Sequence, residues 1–375
     1  MSLIQKTKNS LIKNISNIPG WTTNRKLVVF LIDDWGAIRI PDKAARATLG
    51  SNGIDCESNH FNKFDTLANA DDLSALFDVL VSVKDKNNKP AAITALTAVT
   101  NPDFDRIKQA DFREYYFEPF THTLRSYYSD SNVFELWKEG IRSGLFEPQF
   151  HGREHLNVEL WLKALQNGDR NLLAAFEQRA IGIPMSSKSK FLSSYMAAYD
   201  FENQDQANSF LEINRKGLSL FTEIFGYNAS LFTSSSLIHN SQLEHELLNE
   251  GIGYIDRAKI TMEPLGGGNY KKRYFYIGQK NSDGQRYITR NCMFEPNQFP
   301  DQDMVNKTLN DIDVSFRWHK PAIISSHRVN FVGGIEESNR VRGLKSLQKL
   351  LKEIKTKWPE VEFLLFSELS ALMNK

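Results

Sequence analysis

Residues 27–36 read LVVFLIDDWG, six apolar residues running into two adjacent carboxylates. A short apolar run without polar alternation predicts a strand buried on both faces and paired in parallel. The same pattern recurs along the chain. Strands are expected at 91–98 (AAITALTA), 145–151 (LFEPQFH), 229–234 (ASLFTS), 252–256 (IGYID), 321–327 (PAIISSH) and 361–366 (VEFLLF). Helical spacing fills the intervals at 71–83, 132–142, from Asn157 to Leu165, and at 204–225, 240–250, 301–317 and 336–357. A β-hairpin is expected from 272–279 and 285–291 across Asn281-Ser282-Asp283-Gly284. Gly266-Gly267-Gly268 lacks the spacing of a phosphate loop and reads as a turn.

Strand alternating with helix implies an α/β fold with parallel pairing and crossover helices. An open doubly wound sheet would carry a glycine fingerprint after its first strand, and Asp33-Asp34-Trp35-Gly36 is not one. A closed (β/α) barrel is favoured because the chemistry-bearing residues follow strands, where barrel sites are built.

The composition narrows the classes. The 375 residues carry 46 Lys plus Arg and 45 Asp plus Glu, a net charge of +1, so nucleic acid finds no global attraction. No apolar run approaches a membrane span. The N-terminus has Lys6, Lys8 and Lys13 but no continuous apolar stretch, which argues against a secretory signal. A cytoplasmic protein with Cys56 and Cys292 reduced is therefore expected. Leu3, Ile4, Leu11, Ile12 and Ile15 can line one face of a short helix docked on the domain, with a membrane-surface anchor as the alternative. We expect an N-terminal extension over 1–24 and a single domain over 25–375, with long insertions at 35–70, 166–228 and 264–300.

Three places carry chemistry. Asp33 and Asp34 at a buried strand end repel each other and lose hydration, and a metal ion is the simplest compensation. His151 and His155, four apart, can point the same way if the segment turns helically, a spacing that suits a zinc-like ion. His327 ends a late strand. Two imidazoles and one carboxylate would leave positions open for water and substrate.

Asp-Asp-x-Gly after a strand, then His-x-x-x-His, then a late strand ending in His, together resemble the polysaccharide deacetylase (NodB-like) superfamily. The stretch 323–351 also looks like the closing segment of such proteins. The resemblance spans about 27 to 372. It implies a distorted (β/α) barrel, here with long loop insertions, and a divalent metal ion, zinc first. The implied activity is removal of acetyl groups, N-acetyl ahead of O-acetyl, from a carbohydrate or sugar-linked substrate. It further implies Asp34, His151 and His155 as metal ligands, Asp33 as general base and His327 as general acid.

Two departures stand out. Trp35 is inserted before Gly36, and 231–239 (LFTSSSLIH) lacks the Arg and Pro of the family's third motif. His239, Arg290 and Arg153 are the candidates to replace that Arg, and Trp35 joins them as a supporting residue. Rival readings are a non-catalytic carbohydrate-binding or polysaccharide-assembly protein, and a zinc metallopeptidase, since His151-x-x-Glu154-His155 fits HxxEH if it lies on a helix. The near-zero net charge suits a neutral sugar better than a polyanion.

Overall fold

A computed structural model describes residue 8 and residues 11–128, 132–185 and 195–374. Strand β1 (Leu27–Trp35) is buried at all nine positions. It sits at the centre of the sheet because both its edges are used. β12 (Ala322–His327) takes one edge. The other is shared by β13 (Glu362–Leu364) beside Leu27–Val29 and β2 (Ile93–Thr97) from Phe30 onward. Beyond β2 follow β5 (Phe146–Phe150), β6 (Leu231–Thr233), β7 (Tyr254–Asp256) and β10 (Arg286–Ile288), every pair parallel. β11 (Cys292–Met293) pairs with β12.

β10 and β11 are two halves of one extended run. The first half pairs with β7 and the second with β12, so the ring of strands is closed by a strand that changes partner midway. The fold is thus an α/β distorted barrel. β1 shows its inside and outside by period-two alternation. Leu27, Val29 and Leu31 join Leu96, Leu231, Ile288, Ile323 and Leu364 in one buried cluster, the barrel interior. Val28, Phe30 and Ile32 join the cluster shared with the surrounding helices.

The helices form where their caps predict. Asn69 and Asp72 make a reciprocal capping box at the start of Ala70–Val81. Asn157 accepts from the Leu160 amide at the head of Val158–Gln166. The last crossover, Glu337–Lys357, buries Leu344, Leu347, Leu350, Leu351 and Ile354. No described helix is long and apolar enough to cross a membrane.

Three expectations are corrected. The expected hairpin forms only in part, and a longer one lies earlier: β8 (Ile260–Gly266) pairs antiparallel with β9 (Asn269–Tyr274), and the glycine triplet makes its turn with φ of +90°, +60° and +77°. Across the Asn281–Gly284 turn Lys280 bridges Arg286 antiparallel, and Tyr287 exchanges backbone bonds of 2.8 Å with Gly278 and Gln279, but the other edge of Arg286–Ile288 pairs with β7 in the barrel wall. Residues 151–155 are not helical. The helix at 11–15 docks on the domain by polar residues, while Leu11, Ile12 and Ile15 stay exposed; Leu3 and Ile4 lie outside the described residues. Two short strands, β3 (Thr100–Pro102) and β4 (Phe117–Pro119), pair outside the barrel.

Gly343 fixes how closely the last helix approaches. A Cβ there would fall 1.6 Å from the Asn330 carbonyl oxygen. Helix propensity alone favours Ala over Gly by about 1 kcal/mol, but overpacking of this kind costs about 1–3 kcal/mol. Gly343→Ala is expected to lower stability in urea denaturation, and a gain would show that this contact is not tight.

Candidate functional site

Period-two alternation places Asp33 after Leu27, Val29 and Leu31, so its carboxylate caps the barrel interior. Regular continuation would turn Asp34 outward. Instead the β1–β2 register shifts between Ile32 and Trp35, and Asp34 adopts a left-handed φ of 73°. This bulge aims both carboxylates into one mouth. Asp and Asn tolerate that conformation better than most residues.

His151 follows β5, its amide bonded to the Thr97 carbonyl at 2.9 Å. Gly152 has φ +106° and no room for a side chain, since a Cβ would sit 2.7 Å from the Tyr199 hydroxyl. The non-helical turn it permits brings His155 back beside His151, with ring centroids 5.1 Å apart. Asp34 Oδ1 lies 3.5 Å from His151 Nε2 and 3.0 Å from His155 Nε2. The three residues are buried and offer donor atoms within 4.8 Å of one another.

These residues fit a divalent cation. His151 Nδ1 is 2.8 Å from the Thr233 carbonyl, so that nitrogen carries the hydrogen and donates it. Nε2 then keeps its lone pair, and it is buried without a hydrogen-bond partner. Orientation of an imidazole through its second nitrogen is characteristic of metal-ligating histidines. Donors on a tetrahedral ion with bonds of about 2.0–2.2 Å stand about 3.3–3.6 Å apart, close to the two separations from Asp34 Oδ1.

Beside this cluster Arg290 sits where the closing strand changes partner. Its Nη1 and Nη2 donate to the two Asp33 oxygens at 2.5 and 2.7 Å. Its Nε and Nη2 donate to Asp256 Oδ2 at 2.8 and 2.6 Å. Burial would raise the Asp33 pKa, but Arg290 outweighs it and the net shift is downward. At Asp256 burial prevails, and the pKa is raised. His327 Nε2 faces Asp33 Oδ2 at 3.5 Å, and its Nδ1 meets Glu295 Oε1 at 2.7 Å. Glu295 is held in turn by Asn330 at 2.6 Å. Burial alone would lower the His327 pKa; Glu295 and Asp33 reverse this and push it up to about 10.

Asp33, Asp34, His151, His155, Arg290 and His327 therefore line one cavity of about 350 Å³. The other sequence candidates lie elsewhere. Trp35 turns to the outer core, edge-on to Phe146 at 4.9 Å and Trp137 at 5.9 Å. Arg153 is paired with Glu154 at 2.5 and 2.9 Å and lies over the Phe117 ring. His239 is buried against Ser234 at 2.8 Å and Glu244 at 3.2 Å. Three contributors escaped the sequence reading: Glu295, Asp256, and Arg39, whose Nη2 is 4.0 Å from Asp34 Oδ2. Asp256 had one signal, an acid ending an apolar strand as Asp33 does. Glu295 and Arg39 had none.

No protein-family model matches the chain, and no curated protein matches its sequence. Solved structures do match. A 4-alpha-glucanotransferase from Thermococcus litoralis superposes with a TM-score of 0.48 at 10% identity, over 92% of this chain and 40% of that one. This chain thus spans well under half of the glucanotransferase. A putative polysaccharide deacetylase from Mycobacterium smegmatis gives 0.43 at 11% identity, over 95% and 93% of the two chains. A probable polysaccharide deacetylase from Pseudomonas aeruginosa PAO1 gives 0.46 at 10% identity, over 93% and 91%.

His239 makes a prediction separate from the cavity. Burial first, and then the Arg257 charge, push its pKa down from 6.5 to about 4. The folded protein disfavours its protonation, so the associated stability is complete above pH 6.5 and is lost as pH falls toward 4. One such proton changes stability by at most about 1.4 kcal/mol per pH unit. Denaturation of wild type should weaken across this window more steeply than that of His239→Gln. Parallel profiles would contradict the assignment.

Proposed function

We propose that the protein is a metal-dependent hydrolase that removes acetyl groups from a carbohydrate, N-acetyl ahead of O-acetyl. The observation that carries the reading is the juxtaposition, in one cavity, of a buried Asp-His-His donor set with an Arg-held carboxylate and a Glu-held histidine. Asp34, His151 and His155 would hold the divalent cation, zinc first. When bound, the ion would supply Lewis-acid polarisation of the acetyl carbonyl and a lowered pKa for the attacking water.

The chain's own residues take the protons. Asp33, kept ionised by Arg290, accepts the proton of the attacking water. Arg290 engages both of its oxygens, which fixes the plane of the carboxylate. His327 has its Nδ1 hydrogen directed at Glu295, which leaves Nε2 turned toward Asp33 and the cavity. From Nε2 it hands a proton to the departing amine as the C–N bond breaks, leaving acetate and a free amino group. Among the sequence candidates for the missing Arg, Arg290 has the contacts that suit the role, and we assign it there. That the cavity draws on β1, β6 and β12, on the turn after β5 and on Arg290 between β10 and β11 supports treating 25–375 as one domain.

The metallopeptidase alternative loses its basis. It requires 151–155 on a helix, and Glu154 is engaged by Arg153 and Thr100.

Two measurements check the proposal. The purified protein should bind about one equivalent of zinc, and Asp34→Ala and His151→Ala should each lose most of it; equal metal content in all three would sink the ligand assignment. Acetate release from N-acetylated oligosaccharides should fall by about 10²–10⁴-fold in Asp33→Asn with metal content unchanged. Undiminished turnover would refute the base, and glycan binding without acetate release under any metal would favour the non-catalytic reading.

A further inference from the structure

Exposed apolar side chains are concentrated on one part of the molecule. Of eleven large hydrophobic residues exposed among the described residues, four belong to the N-terminal segment: Leu11, Ile12, Ile15 and Ile18, each 53–59% exposed. Five more belong to the β8–β9 hairpin and its exit: Ile260, Met262, Leu265, Tyr274 and Tyr276. The two segments touch. Lys259 Nζ donates to Ser16 Oγ at 3.2 Å and Asn17 Oδ1 at 3.1 Å, and the Trp21 amide donates to the Ile277 carbonyl at 2.9 Å.

The N-terminal helix is inverted relative to a helix that packs on a core. Its polar side chains face the protein. Lys13 pairs with Asp311, and Asn14 Oδ1 accepts from the Trp318 indole at 2.9 Å. Its apolar face is the outer one. An amphipathic surface helix of a globular domain turns the other way, and exposed apolar side chains gathered on neighbouring segments mark an interaction surface.

The exposed charges carried by the two segments themselves, left without an opposite partner, are lysines. No Asp or Glu occurs before Asp33. Lys8, Lys271 and Lys272 are exposed, and no acidic side chain among the described residues pairs with them. The single acid of the hairpin, Glu263, is bound by Arg273 at 2.6 Å. An anionic bilayer would accept the aliphatic and aromatic side chains at its interface and attract the lysines to its headgroups.

We propose that the segment 11–18, with its helix at 11–15, and the β8–β9 hairpin form an interfacial binding surface for an anionic phospholipid membrane. The protein lies on that surface without spanning it. The inference is independent of the reaction at the barrel mouth.

The test is co-sedimentation of the full chain with vesicles of phosphatidylcholine alone or with added phosphatidylglycerol. Wild type should partition onto the anionic vesicles and come off in high salt. The double variant Ile12→Glu with Ile15→Glu, and separately Lys271→Glu with Lys272→Glu, should each reduce partitioning by about tenfold or more, with melting temperatures near that of wild type. The proposal is overturned by absence of wild-type binding to anionic vesicles, or by full binding in both variants. A vesicle-free dimer abolished by the isoleucine changes would also overturn it, in favour of self-association.

Discussion

Arg290 answers two buried carboxylates, Asp33 and Asp256, and both the site and the closure of the barrel depend on that bridge. Removing one partner of a buried ion pair costs about 3–5 kcal/mol, because the other charge is left uncompensated. Lysine could not replace it. The contacts use Nε, Nη1 and Nη2 of a planar fork, and an ammonium offers a single point charge. The bridge forms where the closing strand releases β7 and joins β12. The irregularity of the barrel is therefore what turns a guanidinium inward at the height of Asp33.

A second irregularity complements the first. Adjacent residues on a strand face opposite ways, so Asp33 and Asp34 can share a cavity only through the bulge that gives Asp34 its positive φ. Such backbone costs about 1–3 kcal/mol and persists where the surroundings over-determine it. Here the surroundings are His151 and His155, positioned by the Thr233 carbonyl and by the turn at Gly152. The two carboxylates meet different partners a few ångströms apart, one a guanidinium and the other imidazoles. That difference is what the proposed division of labour between base and ligand rests on.

Much of this was legible in the residues. Apolar runs marked the barrel strands, and Asn69 and Asn157 marked helix starts through their own side-chain chemistry. The alternation of elements gave parallel pairing, and the strand-end positions of Asp33, His151 and His327 pointed to a common end. Long-range pairing was not legible. Residues 286–288 pair briefly with 278–280 across the turn, as their spacing suggests, yet their second partner is β7, about thirty residues earlier and parallel. The spacing of His151 and His155 suggested a helix, whereas a glycine in a left-handed conformation achieves the same convergence without one. Nothing in the sequence around Glu295 indicates that it reaches His327, because a lone acid after a two-residue strand has no pattern.

The proposed chemistry requires Asp34, His151 and His155 to hold an ion together. The most direct measurement is anomalous diffraction at the zinc edge from crystals grown with zinc. It should give a difference peak about 2.0–2.2 Å from one donor atom of each of the three residues. A zinc-saturated crystal with no peak there, or with a peak bound instead by Asp33 and His327, would contradict the assignment of the site.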